Sequence, residues 1–205
     1  MSETGTPPGG PQESSGAHSE QVRVQHLSAR VPEHVSRGAF STGAIVMTGN
    51  TEFIIDFVQN LGTPPCVTAR VIMPHAAFPQ FIEALKKNLE MYRQRFGEPP
   101  QLPRSPTPPR QPTAQEIYDE LKLSDELLSG AYANGVIIGH TPAEFKFDFL
   151  TNLFPTSAVS ARVFLAAPQV PRLLESLQGT FRQFQQRVQQ QQQQRENPGG
   201  PPPAG

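Results

Sequence analysis

The spacing of hydrophobic positions changes along this chain in a fixed order, and that order occurs twice. Residues 44 to 47, "AIVM", and 53 to 58, "FIIDFV", are apolar runs of strand length, and residues 67 to 73, "VTARVIM", alternate with a period of two. From Phe78 the period lengthens: Phe78, Phe81, Ile82, Leu85, Leu89 and Tyr92 share one face of a helix, with Pro79 suited to its first turn. Val170, Leu173, Leu174, Leu177, Phe181 and Phe184 repeat that face further on. A shift of 92 residues lays 37–96 over 129–188 without a gap, and the phrase "EFIIDF" at 52–57 falls on "EFKFDF" at 144–149. Gly38/Gly130, Gly43/Gly135, Asp56/Asp148, Asn60/Asn152, Leu61/Leu153 and Arg70/Arg162 are among the coincident pairs. Self-similarity of this kind marks a duplicated structural unit.

The fold this predicts is α+β: two tandem copies of a small antiparallel sheet of three or four strands, each followed by one amphipathic helix, packed together as a pseudo-dimer. Ahead of each copy lies a further apolar/polar segment, "QVRVQHLS" (21–28) and "EIYDELKLS" (116–124), either of which could supply a fourth, leading strand. "IYDELKLSDELL" would suit a helix equally well. If the second and third strands form a hairpin with its loop centred near Thr63, Asp56 faces Arg70, Ile55 faces Val71 and Phe57 faces Ala69. The same arithmetic sets Asp148 opposite Arg162. Such a cross-strand pair contributes about 0.2–1 kcal/mol and holds the register, because a slip by one residue would turn the Phe row into solvent. A structural role is expected for all four residues rather than a catalytic one.

Composition sets the boundaries. Most of the 23 Pro and 16 Gly crowd into residues 1–20, 98–113 and 197–205, which have too little apolar surface to offset the entropy of ordering them. The expected organisation is a disordered tail at 1–20, a first repeat at 21–97, a Pro-rich linker at 98–115, a second repeat at 116–190 and a disordered Gln/Pro/Gly tail at 191–205. P-x-x-P spacings in the linker "EPPQLPRSPTPPRQPT" fit a stiff spacer better than a docking motif, and the glutamine tract could extend the second helix or fray. No basic segment followed by an apolar run opens the chain and no 18 consecutive apolar residues occur, so no membrane association and a cytoplasmic setting are expected. A single cysteine, Cys66, has no internal disulfide partner.

Net charge is −1, and each repeat core carries a surplus of two positive charges, too few to point to nucleic acid. His18, His26, His34, His75 and His140 show no metal-ligand spacing, Cys66 has no activating histidine near it in sequence, and phosphate-binding and nucleophile-elbow motifs are absent. No catalytic residue, cofactor or metal is expected. Gly43 and Gly135 read as mid-strand glycines, marking a bulge or a close backbone approach.

The residues resemble a bacterial family known as domain of unknown function 3467. Its pattern of Y-[AS]-N, an apolar strand, H-[ST]-P-E-E-F-x-x-D-F and R-V-[IV] is met by Tyr132, Asn134, His140, Thr141, Pro142, Glu144, Phe145, Asp148 and Phe149 in the second copy. Arg70, Val71 and Ile72 match in the first, and Tyr92, Phe96 and Gly97 match the family's amphipathic helix ending near Y-x-x-x-F-G. Thr42 and Thr48 stand where the second copy has Asn134 and His140, so a role needing both of those side chains cannot be given to copy one. The resemblance implies a fold and a tandem organisation, and no activity. The expected function is a non-enzymatic binding or assembly module, engaging a protein partner or itself through the repeats. The alternative is a single-stranded nucleic-acid binder using the sheet faces, with Arg70, Arg162 and Lys146 on the outward side.

Overall fold

The computed structural model describes residues 29–103, 113–153 and 155–196. The segment 21–28, the tail at 1–20, residues 104–112 of the linker and the last nine residues lie outside the described residues.

Among the described residues, the first repeat opens on one short helix, α1 (Glu33–Ser36), and the second on two, α3 (Ala114–Glu120) and α4 (Asp125–Leu128). A very short strand follows, β1 (Ala39–Ser41) or β5 (Ala131–Tyr132). Next comes an antiparallel meander, β2 (Gly43–Thr48), β3 (Glu52–Gln59) and β4 (Cys66–Pro74), matched by β6 (Gly135–His140), β7 (Glu144–Leu153) and β8 (Thr156–Ala166). The long helices α2 (Phe78–Phe96) and α5 (Val170–Glu196) close the copies. The expected hairpin register holds: Asp56 pairs with Arg70, Ile55 with Val71, Phe57 with Ala69, and Asp148 with Arg162.

Among the described residues, the fourth strand of each sheet comes from the other copy. The sheet orders are β2-β3-β4-β5 and β1-β8-β7-β6. Strand β1 runs parallel to β8, with Ala39 opposite Val163, and β5 runs parallel to β4, with Val71 opposite Ala131. Arg30 bridges Ala158, and Lys122 bridges Cys66. Each of these pairings is thus returned by its equivalent 92 residues away, the reciprocity of a twofold interface. In place of a leading strand, "EIYDELKLS" folds as α3 and then that single bridge. Thr113 caps α3 by accepting from the Glu116 amide, while the Glu116 carboxylate accepts from the Thr113 amide, and the favourable capping box selects helix over strand.

Gly38 and Gly130 turn the chain into the opposite sheet with φ of 68° and 70°, a region costly for any residue with a Cβ. A Cβ at Gly38 would lie 2.6 Å from Phe164 Cε2, and one at Gly130 2.7 Å from Ile72 Cγ1. Gly43 and Gly135, expected in mid-strand, instead open β2 and β6. The register shifts opposite them, in the β3–β4 and β7–β8 pairings, where Thr68 and Ser160 are left without partners in the ladder. Their hydroxyls donate to the Phe57 and Phe149 carbonyls at 3.2 Å each, satisfying acceptors beside the bulge.

The helices also cross between copies. Helix α2 lies over β6: the Tyr92 hydroxyl donates to the Pro142 carbonyl at 2.8 Å and its ring packs 5.3 Å from Phe145. Helix α5 covers β2 and places Phe184 against Phe53 and His75, at 5.4 Å and 4.2 Å between centroids. Phe57 meets Phe149 at 5.6 Å, so both sheets and both helices feed one continuous core. That core belongs to neither copy alone, which offsets the limited burial available to a unit of this size. Helix α5 runs on to Glu196, past the boundary expected at 190, because glutamine is a good helix former. Among the described residues no helix is long and apolar enough to cross a membrane.

Candidate binding cleft on the pseudo-twofold axis

The two Asp-Arg pairs flank the junction of the halves. Asp56 is wholly buried and takes a two-pronged contact from Arg70, Nε to Oδ1 and Nη2 to Oδ2, both at 2.7 Å. Arg70 Nη1 also donates to the Leu128 carbonyl at the end of α4, at 3.1 Å. In the second copy Arg162 Nε and Nη2 reach Asp148 at 2.6 Å and 3.0 Å, and Nη1 donates to the Ser36 carbonyl at the end of α1, at 3.1 Å. Each arginine therefore ties its own sheet to the other copy's short helix. The cross-strand contacts form within each copy, and the arginines also clamp the halves together.

Their surroundings differ. The Tyr118 hydroxyl of α3 donates to Asp56 Oδ2, and its ring lies under the Arg70 guanidinium, 5.9 Å from the centroid. Burial pushes the Tyr118 phenol up from its ordinary range, and the bond to Asp56 pushes it the same way. The bond to Asp56 in turn raises Arg70 against an opposing effect of burial. Among the described residues Asp148 has Lys146 instead, with Nζ 3.0 Å from Oδ2. Burial alone would raise the Asp148 carboxyl, but its bonds from Arg162 and Lys146 outweigh that and hold it below the usual carboxylate range.

Between these pairs lies a cleft of about 450 Å³. Its lining is made of repeat-equivalent pairs: Arg70/Arg162, Thr68/Ser160, Ala69/Ala161, Ala39/Ala131, Gly38/Gly130, Val35/Leu127 and His34/Glu126, with Arg37 in addition. The floor is symmetric and small-featured. The rims are not: α1 and the residue after it supply His34 and Arg37, while α4 supplies Glu126, and all three are exposed. Thr68 also bonds the buried Ser41 hydroxyl at 2.8 Å, where the second copy has Ala133.

Sequence reasoning placed Asp56, Arg70, Asp148 and Arg162 correctly but missed Tyr118, the contact of Lys146 and the cleft. The T-x-x-E capping signal at Thr113–Glu116 could have fixed α3, and the K-x-D spacing puts Lys146 and Asp148 on one side of a strand. Thr42 and Asn134, which differ between the copies, do the same work: Asn60 N donates to Thr42 Oγ1 at 3.0 Å and Asn152 N to Asn134 Oδ1 at 2.7 Å. His140 packs against the rings of Tyr92, Phe96 and Phe145, its Nδ1 buried without a partner among the described residues. His75 Nε2 contacts the Glu52 carbonyl at 3.1 Å. No cluster of three metal-ligating side chains occurs among the described residues.

The fold and the clamp define a tandem α+β protein in which duplicated halves exchange strands and helices. A family model described as "Protein of unknown function (DUF3467)" matches the chain twice, over residues 9–99 and 105–190, and the chain belongs to that family as two tandem copies. No curated protein and no solved structure matches it.

Proposed function

We propose that this chain is a non-enzymatic, cytoplasmic binding module whose two halves are joined to form one recognition cleft across their junction. The observation that supports this most directly is the composition of the cleft, seven equivalent pairs of residues meeting on the pseudo-twofold axis. Concave sites with a few convergent polar groups are where ligands are usually held. Catalysis finds less support, since both buried carboxylates are engaged by arginines and Thr68 and Ser160 spend their hydroxyl hydrogens on backbone carbonyls. Single-strand binding on the sheet faces also finds less support. Tyr118 packs on the Arg70 guanidinium, on the face where a stacked base would have to lie.

A photoreactive residue placed at His34, on the cleft rim, and separately at Met91, exposed on α2, tests the proposal. Irradiated in host lysate and weighed as the intact chain, the first variant is expected to carry a discrete adduct and the second none. An adduct of equal yield from position 91, or none from position 34, would count against the cleft as the binding site. Salt-sensitive binding of a labelled single strand that competes with the adduct would favour nucleic acid instead.

A further inference from the structure

We infer that the cleft takes a small anion bearing a carboxylate or phosphate group, seated toward the rim formed by His34 and Arg37. This rests on the cleft being the recognition site and adds the chemistry of what it recognises. Three of the five N–H groups of each guanidinium are committed, two to its aspartate and one to a helix carbonyl, so each arginine retains donors beyond those bonds. Both arginines are partly exposed, at 12% and 16%, and both line the cleft. The donors left are one on Nη1 and one on Nη2, which can meet carboxylate or phosphate oxygens.

The hydroxyls of the floor are already donating to backbone carbonyls, which leaves charge rather than hydroxyl donation to select the ligand. Arg37 has no ion-pair or hydrogen-bond partner among the described residues and stands on one rim, whereas Glu126 stands on the other. Position 37 has Ser129 as its equivalent and position 34 has Glu126, so the two sides differ in sign although the floor between them is symmetric. A negative group is drawn to the first rim and repelled by the second. The volume of about 450 Å³ is that of a small-molecule site.

The test uses the full chain, titrated calorimetrically at fixed ionic strength with inorganic phosphate, with succinate, and with chloride as the control. Saturable binding of phosphate or of succinate, with a Kd below about 1 mM, is expected, and whichever of the two binds identifies the source of the charge. Arg37→Gln is expected to raise that Kd about 3- to 10-fold, and Glu126→Gln to lower it by a similar factor, as removal of one partly screened charge at a rim should. Both positions are exposed, so both variants are expected to keep the wild-type circular dichroism spectrum. No saturable binding of either anion, a Kd unmoved by both substitutions, or weaker binding in Glu126→Gln would overturn the inference. If the photo-adduct at position 34 persists while phosphate and succinate both fail, only the ligand class falls; if neither is seen, the cleft proposal falls with it.

Discussion

Replacing Arg70 by Ala and, separately, Arg162 by Ala turns the duplication into an internal control. Arg70→Ala leaves the Asp56 carboxylate fully buried with the Tyr118 hydroxyl in place of a cation. Removing one partner of a buried ion pair costs about 3–5 kcal/mol, because the surviving charge is left uncompensated. Arg162→Ala leaves Asp148 with the Lys146 ammonium 3.0 Å away, so the loss there is closer to that of charge-assisted hydrogen bonds, about 1.5–3 kcal/mol. Each variant also loses one bond to a helix carbonyl, and that contribution cancels in the comparison. Urea unfolding at pH 7, followed by circular dichroism with the slope checked for constancy, measures both. The Asp148 carboxyl is held below its unfolded value of about 3.9, so its stabilising contribution is present above that pH and is lost as pH falls through the lower folded value. The penalty of Arg162→Ala should accordingly shrink from pH 7 toward pH 3. Equal penalties for the two variants at pH 7, or a larger one for Arg162→Ala, would refute the claim that Lys146 backs up the second pair.

Two further outcomes follow from the exchange of elements. Separate chains cut within residues 104–112 should each fail to give a cooperative unfolding transition alone and should recover one when mixed, because β1, β5, α2 and α5 each complete the other half; a cooperative transition from either piece alone would contradict this. Gly38→Ala should cost at least about 1–2 kcal/mol from its left-handed φ, with the clash against Phe164 in addition, whereas Gly179→Ala on α5, where a Cβ meets nothing within 4 Å, should stabilise by about 1 kcal/mol. Thermal unfolding of both checks the sign.

The meander, the helix face and the Asp-Arg register were legible because each depends on local periodicity: Phe53, Ile55 and Phe57 point inward however the copies are arranged. The exchange was not legible, since a shift of 92 residues is satisfied equally well whether Ala39 pairs within its own copy or with Val163 of the other. Strands of three and two residues, β1 and β5, are too short to leave a period of their own. Tyr118 escaped for another reason. Its segment carries apolar residues compatible with either element, and only the Thr113–Glu116 cap decides between them. The cleft is a property of the junction, assembled from residues far apart in the chain, and no window along the sequence contains it.

Covalent joining changes what substitution can do at the junction of the halves. In a dimer of identical chains every replacement is written twice, so a positive rim necessarily faces a positive rim. Here one gene product carries both sides, and Arg37 has come to stand across from Glu126 while the alanines and arginines beneath them stay matched. Two halves on one chain make polarity available where symmetry would have forbidden it, so a ligand of the proposed cleft would meet unlike ends.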